Sequence, residues 1–129
     1  MGQFPNELKY TKEHEWIKFA GSEAIVGITE YAAEQLGDVV HVDLPNVNDE
    51  FEKGNTFGSI ESVKSVSDLY LPVSGKITAV NEDLSDNPAL VNEDTYSEGW
   101  IVKIQMADSA ETKDLLTAEQ YEAFLSEEA

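Results

Sequence analysis

The 129-residue chain carries 26 acidic side chains against eight lysines and no arginine, a net charge of −18. That balance argues against nucleic acid as a partner, because there is neither a guanidinium fork nor a basic stripe to meet phosphate. Cysteine is absent, which rules out disulfides, a thiolate nucleophile and zinc–thiolate sites. The length fits one domain, expected over residues 1–129, with a core from about 8 to 106 and a C-terminal helical segment from about 109 to 126. Such charge keeps a chain soluble and monomeric and steers it toward basic partner surfaces. No run of 18 apolar residues is present, so no membrane partner is expected. The opening Met1-Gly2-Gln3-Phe4-Pro5-Asn6 lacks a signal pattern, and Asn6 stands where a myristoylation motif needs Ser or Thr. The expected setting is the cytoplasm, unless the chain is one already processed.

The first predicted element is a hairpin, Trp16-Ile17-Lys18-Phe19 and Ala24-Ile25-Val26-Gly27-Ile28, turning at Gly21. Thr29 then caps a short helix from Glu30 to Leu36, which Gly37 stops. Val39 to Leu44 alternates, which predicts Val40, Val42 and Leu44 on one face and Val39, His41 and Asp43 on the other. His41 has no second ligand at a useful spacing, so no metal role is expected. Val47-Asn48-Asp49-Glu50-Phe51 echoes Val80-Asn81-Glu82-Asp83-Leu84. That echo predicts two related β-halves packed face to face in a flattened barrel or sandwich.

Between the halves, Gly58 and Gly75 bracket two runs rich in β-branched and aromatic residues. Ser62-Val63-Lys64-Ser65 separates them, which reads as a hairpin with Lys64 at its apex. Small serines leave the four-carbon stem of Lys64 open to an enzyme that would attach a group to its amine. Asp83 to Asn92 reads as a polar connection. Tyr96-Ser97-Glu98-Gly99 introduces a strand predicted to turn Trp100, Val102, Ile104 and Met106 inward and Ile101, Lys103 and Gln105 outward. From Asp108 the period becomes helical. Thr117 with Gln120 makes a capping box, Leu116 with Tyr121 a staple, and Tyr121, Phe124 and Leu125 an apolar stripe. Ser126 to Ala129 is expected to fray. No EF-hand spacing, phosphate loop, nucleophile elbow or zincin helix is present.

Glu61-Ser62-Val63-Lys64-Ser65-Val66-Ser67-Asp68-Leu69-Tyr70, followed by Pro72-Val73-Ser74-Gly75, resembles the lipoyl-lysine segment of the glycine cleavage H proteins. The resemblance extends over nearly the whole chain. Leu8-Lys9-Tyr10-Thr11 with His14-Glu15-Trp16 is similar to the family's opening. Gly27-Ile28-Thr29, Gly37-Asp38-Val39-Val40 and Leu44-Pro45 are similar to its body, and Asn87-Pro88, Val91-Asn92 and Gly99-Trp100-Ile101 to its close. His41 departs from the pattern, standing where the family usually has an aromatic residue. The resemblance implies a mostly β fold, a flattened barrel-sandwich hybrid of the biotinyl and lipoyl carriers, with a short helix near 30–36 and a C-terminal helix.

It also implies that Lys64 carries lipoate in amide linkage, attached by a lipoate ligase or an octanoyltransferase. The protein would then be a shuttle and not an enzyme. It would take an aminomethyl group from a pyridoxal-phosphate glycine decarboxylase to an aminomethyltransferase, and electrons to dihydrolipoamide dehydrogenase. Lack of cysteine suits that role, since a nearby thiolate would trap the cofactor's disulfide. Glu61, Ser62, Val63 and Ser65 are candidates for ligase recognition and the arm's surroundings. Glu15, Asp68 and Glu13 are candidates for docking the loaded arm, whose cargo carries an amine. Three rivals are set against this reading. A biotin carrier usually flanks its lysine with methionines, and a 2-oxoacid dehydrogenase lipoyl domain typically shows Asp-Lys-Ala. A Schiff-base enzyme needs a buried lysine, which a hairpin tip does not supply. A second role as a lipoyl or octanoyl relay to 2-oxoacid dehydrogenase complexes remains an alternative.

Overall fold

A computed structural model describes residues 5–107, 112, 113 and 115–128. The start of the expected helical period, at Asp108, lies outside them, as does Ala129. In chain order the strands are β1 (Lys9–Tyr10), β2 (Glu15–Ala20), β3 (Glu23–Ile28), β4 (Val39–Asp43), β5 (Glu50–Phe51), β6 (Thr56–Ser62), β7 (Val66–Tyr70), β8 (Gly75–Val80) and β9 (Val102–Met106). The helices are α1 (Glu30–Leu36), α2 (Asp83–Asp86), α3 (Leu90–Glu93) and α4 (Ala118–Glu128). The strands form a six-stranded sheet, ordered β1-β2-β3-β9-β8-β5, and a three-stranded sheet, ordered β4-β6-β7. All pairings are antiparallel.

The core lies between these sheets. Ile17, Val26, Ile77 and Ile104 of the larger meet Val42, Ile60 and Leu69 of the smaller in one buried cluster. Each such side chain contributes about 1.5–3 kcal/mol on leaving water. This is the barrel-sandwich architecture that the resemblance implied. The α1 boundaries agree with the sequence reading: Thr29 Oγ1 accepts the Ala32 N–H, and Gly37, at φ 79°, donates its N–H to the Ala33 carbonyl. A non-glycine residue is strained at that angle.

Three local expectations need correction. In β4 the register slips between Val39 and His41. This bulge gives the strand an extra residue, and the faces exchange upstream of it. Val39 is therefore buried and Val40 is 48 % exposed. At the entry to β9, Ile101 is buried and Trp100 only half-buried. Residues 100 and 101 precede the strand, so the strict alternation begins at Val102. Ile101 instead docks on β3 through its N–H to the Val26 carbonyl at 2.8 Å.

The two echoing segments do not fold alike. Asn48 turns the chain at φ 81°, and its N–H donates to the Ile77 carbonyl at 2.8 Å, so the first copy lies against β8. In the second copy the Asn81 amide donates to the Glu98 and Trp100 carbonyls, each at 2.8 Å, and the chain enters α2. The Lys64 hairpin is part of the smaller sheet and does not join two equivalent halves.

The C-terminal helix docks on a second apolar cluster. The Thr117 and Gln120 side chains cap one another's backbone N–H groups at 3.0 and 3.1 Å. Tyr121 is buried and stacks on Tyr10, with ring centroids 5.0 Å apart. The helix runs to Glu128. Trp16 anchors the same cluster, its Nε1–H donating to the Thr95 carbonyl at 3.0 Å. Its ring covers Gly27 so closely that a Cβ there would lie 2.6 Å from the indole.

That contact generates a prediction. Because the indole is held by a hydrogen bond it cannot yield, so Gly27→Ala should destabilise the protein by about 1–3 kcal/mol through overpacking. Denaturant unfolding measures this, and an unchanged midpoint would contradict the packing described.

Candidate functional site

The tip between β6 and β7 is a turn that Ser62 builds. Its N–H donates to the Ser65 carbonyl at 2.8 Å. Its Oγ accepts the N–H of Lys64 at 3.3 Å and that of Ser65 at 3.1 Å. Ser62 is buried, while Glu61, Val63, Lys64 and Ser65 are exposed. The Val63 N–H donates to the Asp38 carbonyl at 3.1 Å, which ties the tip to the chain leaving α1. There the Lys64 stem lies across Gly37: a Cβ on that glycine would sit 3.4 Å from Cε and 3.9 Å from Nζ. Gly37 thus both stops α1 and makes room beneath the lysine. In the sequence it reads only as a helix stop, because the second role depends on a residue far along the chain.

Beside the tip, between α1 and β7, lies a cleft of about 370 Å³. The sequence candidates Glu13, Glu15, Ser65 and Asp68 all line it. Ile28, Ile60 and Leu69 make its apolar floor, and Tyr31 and Gln35 of α1 form the opposite wall. Glu61 and Val63 stand outside the cleft. Across the smaller sheet Ile60 is opposite Ser67, and Glu61 is opposite Val66 and His41.

Glu15 is 2 % exposed. Its Oε2 accepts the Tyr70 N–H at 2.8 Å, and its Oε1 is buried with no hydrogen-bond partner among the described residues. Burial pushes this carboxyl well above the ordinary 4.5; the Tyr70 hydrogen bond opposes the shift and the charge of Glu13 adds to it. Desolvation dominates because an ionised carboxylate loses its water there. Glu13 and Glu15 also form the wall shared with a smaller cavity of about 190 Å³, where Lys12 and Lys53 contribute.

His14, noted in the sequence only within the His-Glu-Trp segment, holds the cleft together. It adopts a left-handed backbone at φ 68°. Its Nδ1 lies 2.8 Å from the Tyr121 hydroxyl, which lies 2.9 Å from Thr29 Oγ1 at the start of α1. One hydroxyl of α4 therefore fixes both the His14 loop and the cap of the helix that walls the cleft. Spacing along the chain carries no signal of this, since His14 and Tyr121 lie at opposite ends of the sequence. Among the described residues no group of three His, Asp or Glu side chains lies close enough to hold a metal ion.

Two facing sheets, a lysine on an open hairpin tip and a cleft beside it define a carrier of the lipoyl type. A sequence profile of the glycine cleavage H-protein family matches residues 8–128. The chain is 54 % identical over 123 residues to the glycine cleavage system H protein of Staphylococcus haemolyticus, covering 95 % of this chain and 98 % of that one. It is 53 % identical over the same length to that of Staphylococcus saprophyticus, with the same coverage. The crystal structure of a glycine cleavage system H protein from Mycobacterium marinum superposes with a TM-score of 0.88, at 39 % identity, covering 95 % of this chain and 99 % of that one. The chain belongs to the glycine cleavage H-protein family. With that membership come the role of lipoyl carrier in the glycine cleavage system and lipoate as the cofactor.

The buried carboxyl makes a pH prediction. Unfolded, Glu15 titrates near 4.5, and folded it titrates well above that. Between the two values the folded state keeps the proton and the unfolded chain has lost it, so stability falls as pH rises. Glu15→Gln keeps an oxygen for the Tyr70 N–H and removes the titration. The stability of the parent minus that of the variant should fall from about pH 4 upward, with a limiting slope of about 1.4 kcal/mol per pH unit. Denaturant unfolding at stepped pH measures it, and a flat difference would contradict a proton-holding Glu15.

Proposed function

We propose that Lys64 is the residue that carries the lipoyl group, and that the cleft beside it shelters the loaded arm between partner enzymes. The observation that carries this reading is the juxtaposition of an exposed Lys64 with a cleft lined by Glu13, Glu15 and Asp68. The residues fit the group in three ways. The tip is open for attachment, and Gly37 leaves space under the lysine stem. Ile28 and Leu69 in the cleft offer apolar surface to an acyl chain. When attached, lipoate supplies a dithiolane that accepts a one-carbon unit and electrons.

The chain's own residues bind, orient and exclude water. Ser62 holds the turn, so Lys64 projects from a defined apex. Tyr31, Ile28 and Leu69 exclude water from the cleft. The carboxyl groups of Glu15, Asp68 and Glu13 receive the ammonium of the cargo. A cation brought to a desolvated carboxyl favours its ionised form and makes a charge-assisted hydrogen bond. Glu61 with Ser62, Val63 and Ser65 forms the tip that the attaching enzyme meets, Ser62 through the shape it gives the turn.

Residues 1–129 act as one lipoyl-carrier domain without catalysis of its own. Its partners are the glycine decarboxylase, the aminomethyltransferase and dihydrolipoamide dehydrogenase, together with a lipoate ligase or octanoyltransferase. The net charge of −18 favours a monomer and basic docking surfaces on those partners. The bacterial relatives support a cytoplasmic setting, and no helix among the described residues is long and apolar enough to cross a membrane.

Two outcomes test the reading. Lys64→Ala, incubated with ligase, lipoate and ATP, should gain no mass while unfolding at the parent's midpoint, since an exposed tip residue contributes little stability. Acylation of that variant elsewhere would refute the assignment. In loaded protein, Glu15→Gln should lose its cargo about 10- to 100-fold faster than the parent, the equivalent of roughly 1.5–3 kcal/mol for one hydrogen bond to a charged group. Asp68→Asn should act in the same direction. Formaldehyde release at the parent's rate from both variants would leave the carboxylates without a docking role.

A further inference from the structure

Among the described residues, five large apolar side chains stand exposed: Phe19, Val40, Val47, Val63 and Val66. Single exposed apolar residues are ordinary on a protein surface, but clustered ones mark contact sites. Val63 and Val66 flank Lys64 in sequence and are 68 % and 65 % exposed. Val40 occupies the β4 bulge, between Val39, the cross-strand partner of Ser62, and His41, the partner of Glu61. Glu61 is in turn opposite Val66. His41, Glu61 and Val66 therefore form one row across the outer face of the smaller sheet, with Val40 beside its start and Val63 at the tip. The bulge is what turns Val40 outward; regular alternation would have put Val39 there instead.

We infer that Val40, Val63 and Val66 form an apolar collar through which a lipoate ligase recognises the tip before acylating Lys64. This deepens the proposed function and rests on Lys64 being the attachment site. The occupant follows from reach. The ligase must bring its active site to the bare Nζ, one lysine side chain from the backbone of the tip. The later partners meet the far end of an arm longer by a whole acyl chain, and they need not touch the collar. Val40, Val63 and Val66 are not among the residues that line the cleft, although Ser65, Ser67 and Asp68 beside them are. An attaching enzyme can thus grip the hairpin without occupying the place of the loaded arm.

The charge pattern assigns the division of labour. Glu61, Asp38 and Asp43 are exposed about the collar, so approach favours a basic rim on the ligase. Apolar contact then distinguishes this lysine from the seven others in the chain. The reaction itself is an acyl transfer. Lipoate and ATP give lipoyl adenylate and pyrophosphate on the ligase. The Nζ lone pair attacks the acyl carbon, the C–N bond forms, and the carbon–oxygen bond to phosphate breaks. AMP leaves, and the amine's surplus proton passes to solvent. Nothing is oxidised or reduced.

The test uses the full chain with Val40→Thr, Val63→Thr and Val66→Thr combined. Threonine keeps the branched shape and strand preference of valine while adding a hydroxyl. With purified lipoate ligase, lipoate and ATP, followed by intact mass, kcat/KM should fall about 10-fold or more, chiefly through KM, as for other losses of apolar complementarity. The same variant, driven to full lipoylation with excess ligase, should be reduced by NADH through dihydrolipoamide dehydrogenase at the parent's rate. Phe19→Ser with Val47→Thr, exposed apolar positions away from the tip, should be lipoylated normally. The collar is overturned if the triple variant matches the parent. It is also overturned if ligase and dehydrogenase rates fall together, or if the control pair loses as much. Should the triple variant fail to fold, Val66→Thr and Val40→Thr singly carry the same comparison. A parent chain that takes no lipoate on Lys64 would overturn the attachment reading itself, which separates the two failures.

Discussion

Glu15 leaves β2 of the six-stranded sheet, and its Oε2 accepts the Tyr70 N–H of β7, an edge strand of the three-stranded sheet, at 2.8 Å. This bond crosses from one sheet to the other beside the cleft. It satisfies an N–H that the edge strand would otherwise leave open. It also places a carboxyl group where water is excluded, and that burial is what raises its affinity for a proton. The same position leaves Oε1 unpartnered.

The rest of the structure serves the tip and the cleft in separate ways. Ser62 spends its hydroxyl inside the turn, so the projecting residue at the apex is Lys64. Gly37 ends α1 and leaves the lysine stem a surface without a side chain. At the other end of α1, Thr29 caps the helix and meets Tyr121 of α4. The C-terminal helix therefore belongs to the site mechanically, although Tyr121 is not among the cleft's lining residues. It clamps the His14 loop and the α1 cap through one hydroxyl group. Because the two sheets share a single core, displacement of α1 or β7 would disturb buried apolar contacts.

Much of this was legible in the chain wherever the deciding contacts are local. Thr29, Gly37, Thr117 and Gln120 act within a few residues of themselves, and their chemistry names their places. The hairpin about Lys64 was readable for the same reason. The resemblance implies docking of the loaded arm, Glu13, Glu15 and Asp68 are candidates as carboxylates within its reach, and the fold brings them into one cleft. What the chain did not disclose depends on pairing over long range. The β4 bulge that exposes Val40 arises from the register between β4 and β6. The burial of Glu15 depends on Tyr70, and the His14 latch depends on Tyr121. Trp100 and Ile101 depart from the expected alternation because β9 starts at Val102, two residues after the expected start.

The claim on which the account rests is that the loaded arm on Lys64 lies in the cleft against Glu15. Methyl-resolved nuclear Overhauser spectroscopy on cargo-loaded protein measures this directly. The account predicts contacts between the arm's methylene protons and the methyls of Ile28 and Leu69, lost in Glu15→Gln. Sharp, freely mobile arm signals with Ile28 and Leu69 methyls unmoved from their positions in unlipoylated protein would contradict it.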